Sequence, residues 1–90
     1  MKTLYSLFTN SPTTLRKRYY KRAAAIQSHL KLGTHYQDLG GRQLKCSHEL
    51  IRFRLGDYRL LFKRSAKGFM PEVLLHRKNL EKFLKRRRGH

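Results

Sequence analysis

The chain has one cysteine, no tryptophan, two prolines and only five acidic residues among 90. A lone thiol, Cys46, cannot close an intrachain disulfide, so a small secreted scaffold held by bridges is excluded and a reducing cytoplasm is the expected setting. Cys46 itself reads as a small buried residue. The acids Asp38, Glu49, Asp57, Glu72 and Glu81 stand singly, without the converging carboxylates that two-metal phosphoryl transfer needs. His29, His35, His48, His76 and His90 lack zinc-type spacing, so neither a metal nor a cofactor is expected. There is no phosphate-cradling glycine loop, because Gly40, Gly41 and Gly56 fall singly or paired in turns. No apolar run approaches membrane-spanning length, and the apolar stretch at residues 4–8 is too short for a secretory signal. Repeats, low-complexity tracts and linkers are also missing, so residues 1–90 read as one domain.

What is abundant is positive charge. Lys and Arg number 22 against five Asp and Glu, a formal net charge of +17. Such a field favours a polyanion, meaning nucleic acid, an anionic membrane surface or an acidic protein. Disorder is the competing explanation of high charge, but 39% hydrophobic and 11% aromatic residues in patterned segments argue for a packed domain.

The pattern is clearest in residues 50–62, which read as two strands joined at Gly56-Asp57. Side chains alternate across a strand, so Ile51, Phe53 and Leu55 share one face while Arg52 and Arg54 share the other. After the turn, Tyr58, Leu60 and Phe62 stand against Arg59 and Lys63. One face is core and the other cationic.

Elsewhere the spacing predicts an edge strand over residues 3–9. A helix follows, with Ser11 as its cap and Pro12 in its first position. Leu15, Tyr19, Ala23, Ile26 and Leu30 recur at helical intervals up to a stop at Gly33. A break near Lys21 would turn this segment into a helical hairpin. Residues 34–41 have loop chemistry. Gln43-Leu44-Lys45 begin a strand, and 65–68 make a turn. Residues 72–77 form a further strand whose Val73-Leu74-Leu75 run suggests burial on both sides. Residues 79–88 return to helical spacing with Leu80, Phe83 and Leu84 as the stripe. The fold class is therefore α+β: a small, mostly antiparallel sheet of about four strands, one or two N-terminal helices and a short C-terminal helix.

The chemistry permitted by these residues is that of an arginine cluster acting on phosphate. RNA cleavage through the 2′-hydroxyl needs no external nucleophile; it needs alignment, charge stabilisation and proton transfer. Arg52, Arg54, Arg59 and Arg77 supply the first two, and no guanidinium is a comfortable base. His76 is the natural proton-transfer candidate. Strand alternation points it away from Arg77, however, and a structural role competes. Asp57 reads as a turn residue, and core packing competes with base stacking for Phe53 and Tyr58.

Leu44-Lys45, residues 50–62 and Val73-Leu74-Leu75-His76-Arg77-Lys78 together resemble the RelE/ParE superfamily of toxins from type II toxin–antitoxin modules, over roughly residues 40–84. The resemblance implies a RelE-like fold and a metal-independent, ribosome-dependent messenger RNA endoribonuclease. It makes Arg52 and Arg54 the two basic strand positions, Arg59 the phosphate-holding arginine and Arg77 the arginine near the end of the last strand. Lys45 matches a further basic position. Where some members carry a tyrosine, this chain has Phe83, which moves no proton and for which core packing beside Leu80 and Leu84 competes with stacking on a base. Lys78, Phe83, Lys85 and Arg86 join Lys45 as expected RNA contacts. The implied partners are an acidic antitoxin and messenger RNA on the ribosome, with 16S rRNA held by the basic face. Two alternatives stand beside this reading: a ParE-like inhibitor of DNA gyrase and a non-enzymatic RNA-binding module.

Overall fold

The alternation in residues 50–62 builds the hairpin expected of it, extended at both ends. In a computed structural model, which describes residues 2–88, the strands are β1 (Arg42–Leu44), β2 (Ser47–Leu55), β3 (Tyr58–Ser65) and β4 (Gly68–His76). They form one antiparallel sheet in the order β1-β2-β3-β4. Helices α1 (Leu4–Thr9) and α2 (Thr13–Lys31) precede it, and α3 (Leu80–Arg88) follows. The chain is thus α+β, with two N-terminal helices, four strands and a short C-terminal helix.

The core lies between one face of the sheet and the first two helices. Ile51, Phe53, Leu55, Leu60 and Phe62 meet Leu4 and Phe8 of α1 and Leu15, Ala23, Ile26 and Leu30 of α2 in one buried cluster. Phe53 and Phe62 pack edge to face, with centroids 5.6 Å apart. Each such side chain contributes about 1.5–3 kcal/mol on burial. Gly41 brings the edge of the sheet onto this core: a Cβ there would stand 2.7 Å from the Phe53 ring.

Residues 3–9 are helical, not an edge strand. Leu4 and Phe8, four apart, are both buried, which is a helical interval rather than an alternating one. Thr3 and Ser6 close a reciprocal capping box, each hydroxyl accepting from the other's backbone N–H at 3.0 Å. The start of α2 also differs. Pro12 occupies the cap position with no side-chain bond, and the Ser11 hydroxyl donates backwards to the Leu7 carbonyl at 2.9 Å. The helix then runs unbroken through Lys21, and Leu32 and Gly33 (φ 92°) end it.

In the second half, the 34–41 loop contains a 3-10 turn, Tyr36–Leu39. β4 begins at Gly68, not Glu72, and accommodates buried Pro71 beside a register shift opposite Leu61 and Phe62. Proline is tolerated there because β4 is an edge strand. Edge position also explains why Val73, Leu74 and Leu75 are only half-buried; full burial on both faces falls on the strands paired on both sides, at Leu50 and Ile51 of β2 and at Leu60, Leu61 and Phe62 of β3. Cys46 is exposed in the turn between β1 and β2 rather than buried. Among the described residues no helix is long and apolar enough to cross a membrane.

At the tip of the central hairpin, Gly56 has φ +63°, and a Cβ there would run into the Tyr19 hydroxyl of α2. Gly56→Ala should therefore cost about 1–2 kcal/mol from the left-handed backbone alone. Urea unfolding measures this, and an unchanged midpoint would show that the turn leaves the left-handed conformation at no cost.

Candidate functional site

Residues paired across antiparallel strands point to the same face. The register couples Arg42 with Arg52, and Arg54 with Arg59, so these four guanidinium groups on three neighbouring strands share the face opposite the main core. The face is not purely cationic. Leu50 and Leu61 lie in the same rows and are fully buried, outside the cluster packed by α1 and α2.

The four arginines differ in how they are held. Arg42 and Arg54 are exposed, Arg52 is half-buried, and Arg59 retains only 9% of its surface. Burial, then the charges of Arg54, Arg59 and Arg42, lowers the pKa of Arg52. Burial, then Arg54 and Arg77, lowers that of Arg59, with Asp57 opposing. Both remain cations near neutral pH. Arg52 Nε is buried without a hydrogen-bond partner, an unmet donor that disfavours the fold as it stands.

Arg59 is partly spent on structure: its Nη1 donates to the carbonyls of Gly56 (2.8 Å) and Tyr58 (2.9 Å). Arg77 is fixed to the same turn, its backbone N–H donating to the Asp57 carbonyl at 2.8 Å and its Nε standing 3.7 Å from the Asp57 carboxylate. The Gly56-Asp57 turn is therefore the hub that brings Arg59 and Arg77 together, and Asp57 serves it as an anion and an acceptor.

His76 goes elsewhere. It pairs with Tyr58, in the row of Leu55 on the core side, with ring centroids 5.2 Å apart. Its Nδ1 accepts from the Lys78 backbone N–H at 3.3 Å, capping the 3-10 turn Arg77–Asn79. The structure thus gathers Arg52, Arg54, Arg59 and Arg77 and leaves His76 on the other side of the sheet, as strand alternation requires. Lys45 is exposed in the β1–β2 turn and Lys78 in the turn before α3. On α3, Lys85 and Arg86 are exposed and Phe83 is half-buried.

Two arginines that sequence reasoning passed over have defined places. Arg87 Nη2 donates to Glu49 Oε1 at 2.7 Å and its Nη1 to Glu72 Oε2 at 3.2 Å, while Lys2 Nζ lies 3.4 Å from Glu72. The hydrogen bond from Arg87 holds the Glu49 carboxyl below its usual range, and the same bond raises the Arg87 pKa. This ties α3 to β2 and β4. Arg42, the second, lines with Arg52 and Arg54 an open cleft of about 830 Å3 beside β1. Placing the start of β1 at Gln43 hid it; starting the strand one residue earlier puts Arg42 in the arginine rows. Among the described residues no three His, Cys, Asp or Glu side chains converge to hold a metal ion; His90 lies outside those residues.

A family model described as a ParE-like toxin domain matches residues 17–80. The matched span takes in most of α2, the whole sheet and the turn that carries Arg77. No curated protein and no solved structure matches the chain.

Proposed function

The chain belongs to the ParE-like toxin family, within the RelE/ParE superfamily, and from that premise we propose that it is the toxin of a type II toxin–antitoxin module that cuts messenger RNA on the ribosome. The observation that carries this reading is the in-register arginine group, Arg42 and Arg52 beside Arg54 and Arg59, with Arg77 fixed to the adjoining turn. A phosphodiester seated there has its charge met from several sides. The 2′-oxygen attacks phosphorus, the bond to the 5′-oxygen breaks, and the products are a 2′,3′-cyclic phosphate and a 5′-hydroxyl. The arginines align the phosphate and stabilise the negative charge that grows on its oxygens. His76, across the sheet, takes no part, so the proton leaving the 2′-hydroxyl and the proton reaching the 5′-oxygen are exchanged with solvent or with the ribosome. The reading needs no metal, and it places the protein in the cytoplasm with an acidic antitoxin as its partner.

One observation favours a second reading, inhibition of DNA gyrase through protein contacts: among the described residues no imidazole or carboxylate free for proton transfer accompanies the arginines, and Phe83 has no hydroxyl. Brief expression followed by mapping of transcript ends separates the two. Cuts phased to codons are the expected result. Intact transcripts with blocked supercoiling would replace the ribonuclease with the gyrase inhibitor.

A further inference from the structure

The cleft beside β1 is larger than one phosphate requires, and its walls differ in kind from the rest of the arginine face. Arg42 and Gln43 of β1 and Arg52 and Arg54 of β2 line it, with Tyr36, Gln37 and the Gly40-Gly41 pair completing it; Arg42 pairs with Arg52 on the arginine face, and Gln43, paired with Ile51, lies across β1 from it. Among the described residues no aliphatic side chain lines it. Gln37, Arg42 and Gln43 are exposed. Gln43 is held in place, its Nε2 donating to the His48 carbonyl at 2.7 Å, which leaves the amide oxygen free to accept. Gln37 has no side-chain hydrogen bond of its own among the described residues, so both of its amide groups are available.

We propose that this cleft is a second nucleotide station, in which Arg42 and Arg52 hold an RNA phosphate and Gln43 and Gln37 address the edge of the neighbouring unpaired base. The proposal rests on the ribonuclease reading for its substrate class and adds a positioning and specificity role for three residues outside the arginine group that the sequence singles out. Its chemistry favours RNA over an acidic peptide. Guanidinium groups match phosphate bidentately, and amides that donate and accept suit the edges of unpaired bases. A peptide partner takes its affinity from apolar and aromatic anchors in desolvated pockets; among the described residues the lining offers no aliphatic side chain, and its aromatic ring, Tyr36, is itself buried in the core.

The test uses a short single-stranded RNA in which every ribose is 2′-O-methylated, so that the full-length protein binds but cannot cut it, with fluorescence anisotropy as the readout. In a chain of charge +17 any lost cation weakens RNA binding somewhat, so Lys21→Gln, on the outer face of α2, is the reference. Arg42→Gln should weaken binding about tenfold, well beyond Lys21→Gln. Gln43→Ala, which changes no charge, should weaken it several-fold and alter the ranking of oligonucleotides that differ in one base. Equal effects of Arg42→Gln and Lys21→Gln, together with a silent Gln43→Ala, would overturn the proposal. So would a glutamate-rich peptide that binds more tightly than RNA and depends on Arg42. Because the probe is not cleaved, the two readings fail separately: intact cellular transcripts with a retained Arg42 effect would remove the ribonuclease and keep the cleft, and mapped cuts with no Arg42 or Gln43 effect would do the reverse.

Discussion

Phe53→Ala should remove a large share of the protein's folding stability. Phe53 is 1% exposed at the centre of the sheet. Its ring packs edge to face on Phe62, and the Gly41 backbone lies directly against it. Truncating a buried phenylalanine costs about 3–5 kcal/mol, through lost transfer energy and the cavity left behind. A domain of this size has about 5–13 kcal/mol to lose, and here an unpaired donor and mutually repelling arginines already draw on that margin. The same residue lies between Arg52 and Arg54, so its collapse would also disorder the arginine rows. Urea denaturation followed by circular dichroism measures the loss. Phe53→Leu, which keeps most of the volume, should recover much of it. A loss below about 1 kcal/mol for the alanine variant would mean that the sheet edge closes over the gap, contrary to a core packed as tightly as this one.

The central hairpin was legible because two signals agree there: period-two alternation sets the faces, and Gly-Asp between the strands sets the turn. α2 was legible because its buried residues, Leu15, Ala23, Ile26 and Leu30, keep one helical face over the whole element. α1 was not, since six residues hold too few turns for periodicity to separate helix from strand; the deciding feature is the Thr3–Ser6 capping box. Arg52 and Arg54 could be placed on one face by alternation alone. Arg42 was missed because β1 begins one residue before the Gln43-Leu44-Lys45 segment read as its start, and a register shift at Gln43/Leu44 obscures its pairing with β2. The tethering of Arg59 to the turn carbonyls is invisible to any pattern of residue types. It also makes Arg59 a poor probe of function, since removing it strips two hydrogen bonds from the hairpin tip as well as a charge from the site. The pairing of Arg87 with Glu49 and Glu72 joins residues 38 and 15 positions apart, beyond the reach of helical charge spacing.

Arg52 is the position at which stability and function should separate most sharply. Its Nε is buried and unpaired, burial and three neighbouring arginines depress its pKa, and it stands opposite Leu61, which is fully buried. Each of these features disfavours a guanidinium in the free protein. Replacing a half-buried guanidinium whose Nε is unpaired with an apolar side chain of similar reach should be neutral or stabilising, so Arg52→Leu should hold or raise the melting temperature, by several degrees for each kcal/mol gained. Growth arrest should nevertheless disappear, because the donor that meets an incoming phosphate is gone; loss of one preorganised donor at a developing negative charge is worth about 10²–10³ in rate. Salt provides an independent check. Screening relieves repulsion among the arginines, so added salt should stabilise the wild-type chain more than the variant. An Arg52→Leu protein that melts lower by more than about 1 kcal/mol would make the guanidinium a structural group. One that melts as expected yet still arrests growth would remove Arg52 from the functional surface, and the same arrest assay applies whether the target is messenger RNA or gyrase. A stable, inactive Arg52→Leu chain would mean that the arginine face is kept for binding at the expense of folding, with the compensating interactions arriving only with the ligand.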